Sequence, residues 1–227
     1  MDFSYYLQLL YQNILDSSWM EIVAASFGII SVWYARKANI LVYPTGIVSV
    51  LLYVYITFKA QLYADMGINA YYFVFSVYGW FMWSRTDENK EELPVTYSNR
   101  KTWLISIGVF LISLVIIQVL LRIFKANDVV YWSTFVPYTD TFTTAVAILG
   151  MWLMAIKKVE NWLFWITADV VSIPLYLYKG LVFTSLQFLI FLILAVMGYI
   201  EWKKLVKENT ESHVWKKPAG ENTKIHA

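Results

Sequence analysis

Val48-Ser49-Val50-Leu51-Leu52-Tyr53 recurs later in the chain as Val171-Ser172-Ile173-Pro174-Leu175-Tyr176, both reading V-S-x-x-L-Y. Gly79-Trp80-Phe81-Met82-Trp83 recurs as Gly198-Tyr199-Ile200-Glu201-Trp202, both reading G-[WY]-x-x-W. Asn39 and Asn161 precede the first pair of matches, and Glu21 and Asp140 stand at the start of the corresponding upstream helices. The matches keep their order at an offset of 119 to 123 residues, with the difference assigned to hairpin loops. In this reading Gly46 stands where Asp169 stands, so the two halves differ chemically and the second carries the charge.

The repeat lies in a chain built for lipid. Of 227 residues, 59% are hydrophobic, 19% aromatic and only 15% charged, against about 25% charged in a soluble domain. That excludes an ordinary cytosolic enzyme, a disordered chain and a nucleic-acid binder. A membrane helix needs about 20 mostly apolar residues. Seven runs qualify: Trp19–Trp33, Ile40–Phe58, Leu62–Trp83, Trp103–Phe124, Val136–Ile156, Trp162–Tyr178 and Leu181–Trp202. The fold class read from them is an all-α integral membrane protein, seven helices in a 3+1+3 plan. Because the fourth span restores the starting side, the two triplets are related as parallel repeats.

The resulting organisation has five parts. Residues 1–18, with Asp2 and Asp16 and no basic residue, are an interfacial segment, not a signal peptide. Residues 19–84 form the first triplet. Residues 85–135 hold a polar loop, the linking span and an outer loop. Residues 136–203 form the second triplet, and residues 204–227 a polar tail. Basic residues concentrate on one side of these spans. Lys59, Arg122, Lys125 and Lys179 share one face; Arg36, Lys37, Arg85, Lys90, Arg100, Lys101, Lys157, Lys158 and six tail lysines share the other. The positive-inside rule puts the N-terminus outside and the C-terminus in the cytoplasm, in a plasma (inner) membrane.

Few residues can carry chemistry. There is no cysteine, and both histidines, His213 and His226, lie in the tail. No metal site or cofactor is implied. Asp169 stands out: it falls near the middle of its span, where an ionisable group costs about 2.5–3.5 kcal/mol on insertion scales. It shares one helical stripe with Trp162, Trp165, Ser172 and Tyr176. Indole faces stack on flat rings and attract cations, and a carboxylate adds opposite charge. A second stripe holds Asp65, Asn69, Tyr72 and Ser76. Gln187 in the last span, with Ser49 and Tyr53 in the second, complete the candidate binding set. Trp162 and Trp165 have an alternative reading as interfacial anchors. Gln118 reads as a packing contact.

The stretches Tyr43-Pro44-Thr45-Gly46-Ile47-Val48-Ser49, Leu62-Tyr63-Ala64-Asp65-Met66-Gly67-Ile68-Asn69, Tyr78-Gly79-Trp80 and Glu160-Asn161-Trp162-Leu163-Phe164-Trp165 resemble the PnuC family of vitamin transporters. The resemblance spans residues 19–204. It implies a fold like that of the full-length SWEET sugar carriers, with its own helix arrangement. It also implies facilitated uptake of nicotinamide riboside, trapped by a cytosolic kinase, and it puts Trp162, Trp165 and the residue at Asp169 around the vitamin. Nicotinamide riboside carriers of the family often have an amide at that last position, so the aspartate leaves thiamine, another flat cation, as an alternative. A rhodopsin-like receptor is disfavoured because the last span has no lysine between Leu181 and Trp202. A membrane enzyme is disfavoured because no second carboxylate lies at the depth of Asp169. The oligomeric state, a homo-oligomer included, stays open.

Overall fold

Local chemistry sets where the helices begin and turn. Ser18 and Glu21 form a capping box: the Glu21 amide donates to Ser18 Oγ at 3.2 Å, and the Ser18 amide donates to the Glu21 carboxylate at 2.6 Å. Asn99 Oδ1 accepts from the Thr102 amide at 2.8 Å, and Pro137 occupies the first turn of another helix. A computed structural model describes residues 3–86 and 93–216. Asp2, Lys90, Lys217, Lys224 and His226 lie outside them.

The described residues form nine helices and no strand: α1 (Phe3–Asp16), α2 (Trp19–Arg36), α3 (Val42–Lys59), α4 (Tyr63–Ser84), α5 (Arg100–Phe124), α6 (Val129–Trp132), α7 (Val136–Ala155), α8 (Asn161–Tyr178) and α9 (Val182–Lys216). Val42–Lys59, Arg100–Phe124 and Val182–Asn209 are long and apolar enough to cross a membrane by themselves. A fourth candidate is α1 with α2, bent by 107° at their junction. Helices α4, α7 and α8 fall below that threshold because they carry Asp65, Asn69, Asp140, Asn161 and Asp169 together with many tyrosines, threonines and tryptophans.

Six helices close on one another. Helix α2 packs on α3, α3 on α4, α4 on α7, α7 on α8, α8 on α9, and α9 returns to α2. Helix α5 stands outside this ring against α7, tied there by Thr141 Oγ1 donating to Gln118 Oε1 at 2.9 Å. Much of α5 is exposed apolar surface, including Leu104, Ile107, Leu111, Val115 and Ile123.

Helices α2–α4 and α7–α9, the residues read above as two triplets, show correspondences at 119 positions. Helix α3 maps onto α8 end to end. Left-handed turn residues pair as Ala38 with Lys157 and Gln61 with Gly180. Buried rings pair as Tyr43 with Trp162, and the glycines that admit them as Gly79 with Gly198. This corrects the register read from V-S-x-x-L-Y. That match is offset by 123, about one helical turn too many, and a full turn leaves the same face forward. The counterpart of Asp169 is Val50, and Gly46 pairs with Trp165.

Two reciprocal bonds bolt the triplets together at one end. Trp83 Nε1 donates to the Ala155 carbonyl at 3.1 Å, and Trp202 Nε1 donates to the Ala35 carbonyl at 3.0 Å. Each runs from the last helix of one triplet to the first helix of the other. Around them Tyr43, Trp83, Trp162 and Trp202, all at most 3% exposed, form an aromatic plug. The segment before α5 crosses this end: the Thr96 amide donates to the Lys157 carbonyl at 3.0 Å, the Val159 amide to the Thr96 carbonyl at 3.0 Å, and Ser98 donates to Glu160.

The last helix is longer than its apolar run. The tail assigned to residues 204–227 is helical to Lys216, because Lys203–Glu208 contains no helix breaker and Leu205 and Val206 pack onto the plug. At the other end α1 lies against α9, with Asn13 Oδ1 accepting from the Val182 amide at 2.8 Å.

Gly198 has no room for a methyl group, since a Cβ there would stand 2.5 Å from the Trp162 ring, whereas Gly67 has nothing within 4 Å. Gly198→Ala is expected to destabilise the detergent-solubilised protein by about 1–3 kcal/mol. Gly67→Ala, which removes backbone entropy from the unfolded chain, is expected to leave it unchanged or raise it by up to ~1 kcal/mol. Thermal unfolding of the two variants side by side reads the difference.

Candidate functional site

Helix α8 runs from the plug towards the opposite end, and each turn of it meets a different neighbour. Trp162 is 1% exposed, lies edge-on to Trp202 at 5.6 Å, and is seated on Gly198. Its ring is core packing in the plug. Trp165, one turn further, faces a different wall. Its ring fills the space over Gly150 of α7, where a Cβ would stand 2.9 Å away, and it lies 6.5 Å from Tyr72 of α4. In the first triplet the bulk sits elsewhere: Gly46 takes the Trp165 position and meets Ser31 instead.

Asp169 follows, 3% exposed. Among the described residues nothing hydrogen-bonds to it and no cation pairs with it. It lies within electrostatic reach of the phenol of Tyr72, which is also within reach of Tyr71 and Tyr176. Buried polar groups are normally satisfied, and a lone buried carboxylate is among the more costly things a protein can retain. Ser172 lies one turn beyond on the same face, also buried. Tyr176 then stacks on Phe188 of α9, centroids 5.0 Å apart and planes 13° from parallel.

The opposite corner of the ring is formed by α2, α3 and α9. There Gln187 and Phe191 of α9 both lie close to Gly28 of α2, and the Tyr53 phenol is within reach of the Gln187 amide. Tyr53 lies within electrostatic reach of Tyr176, which links the two corners. Ser49 serves the scaffold instead, its Oγ donating to the Ala24 carbonyl at 2.8 Å and holding α3 to α2. Asn69 Nδ2 donates to the Asp65 carbonyl at 2.9 Å on its own helix. Asp65 sits near the end of the ring opposite the plug, within reach of Lys125, Asp140 and Lys179.

The structure therefore gathers Trp165, Asp169, Ser172, Tyr176, Tyr53 and Gln187 around the interior of the ring. Trp162 and Ser49 are in packing roles, and Asp65 and Asn69 lie towards one mouth. Tyr72, Phe188, Phe191 and Gly150 were not in the binding set read from sequence. Tyr72 is three residues beyond Asn69 on its stripe, and Phe191 is its counterpart at 119 positions, so the corrected register reveals both.

The arrangement offers aromatic faces, one carboxylate and amide and hydroxyl donors in a setting of low polarity. It suits a flat cation bearing hydroxyl groups. Because the carboxyl group has no internal partner, Asp169→Asn, which keeps its shape, is expected to leave the ligand-free protein as stable as the parent, within about 1 kcal/mol. A larger fall in stability for this variant, read by thermal unfolding, would contradict the assignment of an unpartnered carboxyl group.

Comparison with known proteins agrees with this chemistry. Residues 18–204 match the family described as nicotinamide mononucleotide transporter. The nicotinamide riboside transporter PnuC of Escherichia coli is 29% identical over 85% of this chain and 88% of its own length. The same-named transporter of Neisseria mucosa is 29% identical over 85% and 75% respectively. The crystal structure of the vitamin B3 transporter PnuC superposes with a TM-score of 0.65 at 25% identity, covering 90% of this chain and 91% of that one. An all-helical membrane protein of this kind, matched over most of its length, is a transporter and not an enzyme, and the chain belongs to the nicotinamide mononucleotide transporter family.

Proposed function

We propose that this protein carries nicotinamide riboside into the cell by facilitated diffusion, with a cytosolic kinase phosphorylating the nucleoside and so holding its free internal concentration low. The observation behind this reading is Asp169, buried and unpaired beside Trp165 and Tyr72. A pyridinium ring supplies the missing positive charge and a flat face for the aromatic side chains. Ribose hydroxyls match Gln187, Tyr53 and Ser172, with Asn69 on the approach. In this reading Trp162 supports Trp165 from behind through the plug.

The family description names the nucleotide, whereas the relatives' names give the nucleoside. The charges favour the nucleoside. A phosphate requires cationic or N–H-rich partners; no cation pairs with Asp169 among the described residues, and the ammonium beside Tyr176, that of Lys179, is held by Asp140. A phosphate beside Asp169 would be repelled. The relatives' names likewise favour nicotinamide riboside over thiamine.

The architecture suits transport. We read seven spans, α2, α3, α4, α5, α7, α8 and α9, in a 3+1+3 plan with the 119-residue correspondence as its parallel repeat. A substrate path between the six helices of the ring fits this plan, and the bolts between triplets lie where rocking of one against the other would act. The distribution of lysine and arginine supports an inner-membrane location with the plug and C-terminus in the cytoplasm and α1 outside. The kinase and any homo-oligomer belong to this proposal.

A binding titration tests it. Purified protein is expected to bind nicotinamide riboside most tightly among nicotinamide riboside, nicotinamide mononucleotide, thiamine and riboflavin, with the nucleotide at least tenfold weaker. Trp165→Ala is expected to weaken nicotinamide riboside binding at least tenfold, about 1.4 kcal/mol. Equal or tighter binding of the nucleotide, or tightest binding of thiamine, would overturn the reading.

A further inference from the structure

At the end of the ring opposite the plug, its mouth in the transport reading, a charge network that this reading does not use joins α7 to the α8–α9 turn. Asp140 at the start of α7 accepts two bonds, one on each carboxylate oxygen. Lys179 Nζ donates to Oδ1 at 2.7 Å, and the Tyr131 hydroxyl donates to Oδ2 at 2.9 Å. Burial and the adjacent carboxylate push the Tyr131 phenol above its ordinary range, so it stays protonated and donates. The same ammonium lies 5.2 Å from the centroid of the Tyr176 ring. Lys179 thus sits over an aromatic face and against a carboxylate, the two features that recognise a flat cation. Asp65, Asp128, Arg122 and Lys125 also lie around this network.

The turn that holds Lys179 is well fixed. Gly180 has φ +74°, Leu9 of α1 packs near it, and Asn13 caps the next two amides. The first triplet lacks the device. At 119 positions earlier, Lys179 corresponds to Ala60 and Tyr176 to Thr57. Asp140 corresponds to Glu21, whose carboxylate is occupied by its own capping box. A contact required merely to fold the repeat would occur in both halves; this one occurs only in the half that carries Asp169.

We propose that the Lys179–Asp140 pair is a latch across this mouth, in which Lys179 is a tethered cation that a flat cationic substrate displaces from Tyr176 and Asp140 on its way to Asp169. The pair remains partly open to water, its side chains 25% and 21% exposed, and such pairs are weak enough to break repeatedly. The latch itself rests on contacts within the protein; that it is the outer gate rests on the proposed orientation.

The absence of cysteine makes a clean test possible. Ser172→Cys places a single thiol between Asp169 and Tyr176. In sealed vesicles of each sidedness, its rate of modification by a charged, membrane-impermeant methanethiosulfonate is measured. Lys179→Gln and Asp140→Asn are each expected to raise that rate at least tenfold from the face bearing Lys179. Lys179→Arg, which keeps the charge pair, and the reciprocal swap Lys179→Asp with Asp140→Lys are expected to return it to within threefold of the parent. Unchanged rates in both single variants, acceleration only from the opposite face, or a swap that stays fast would overturn the latch. Lys59→Cys, on the corresponding exposed turn, independently reports which side this face occupies. Its modification from the cytoplasmic side would overturn the orientation and leave the latch standing.

Discussion

A carboxylate held away from water without a cation is the constraint around which this molecule is organised. Asp169 is 3% exposed and unpaired among the described residues. Retaining such a group costs stability, and the surrounding structure has to supply it from elsewhere. The closed ring of six helices does so, by burying apolar surface on every helix neighbouring α8 and by fixing α8 at both ends. Near the plug, Asn161 Nδ2 donates to the Lys158 carbonyl at 2.7 Å and Trp162 packs on Gly198. At the far end, Ser185 Oγ donates to the Ile173 carbonyl at 3.0 Å.

The two ends of the ring are built from different forces. One end is closed by aromatic packing and two indole bonds that relate the triplets reciprocally. The other carries an ion pair, Lys179 with Asp140, and the Tyr131 phenol of the short helix α6. Aromatic packing in a full core is hard to open piecemeal, whereas a half-exposed ion pair exchanges readily with water or with another cation. The symmetric elements define the scaffold, and the elements that break the symmetry, Asp169, Trp165, Lys179 and Asp140, cluster in the second triplet.

Much of this was legible in the sequence, for identifiable reasons. Apart from the end of α9, the runs of apolar residues set the helices that contain them to within a few positions, because length and hydropathy are what the bilayer selects. The G-[WY]-x-x-W pair, spaced by 119 residues, already carried the register in which the bounds of α3 and α8 correspond. The second motif misled by one turn, which periodicity cannot detect when the same face is presented. Asp169 was conspicuous because charge within an apolar run is rare. Trp162 and Trp165 were not separable by type or spacing from a binding pair, and only packing distinguishes the ring on Gly198 from the ring on Gly150. Ser49 likewise resembled a site hydroxyl until its bond to Ala24 assigned it to the scaffold. The continuation of α9 to Lys216 was missed because polarity was taken for irregularity, although helix-forming residues with two apolar contacts suffice.

If Asp169 is kept uncompensated for the positive charge of its guest, taking that charge away from either partner must erase the preference. Binding of nicotinamide riboside is therefore compared with binding of its reduced dihydro form, nearly the same in shape but neutral, in the parent protein and in Asp169→Asn. The parent is expected to favour the cation at least tenfold, about 1.4 kcal/mol, and Asp169→Asn to bind the two forms within about threefold of each other. Equal binding of both forms by the parent, or undiminished preference for the cation in Asp169→Asn, would contradict that role for the carboxylate.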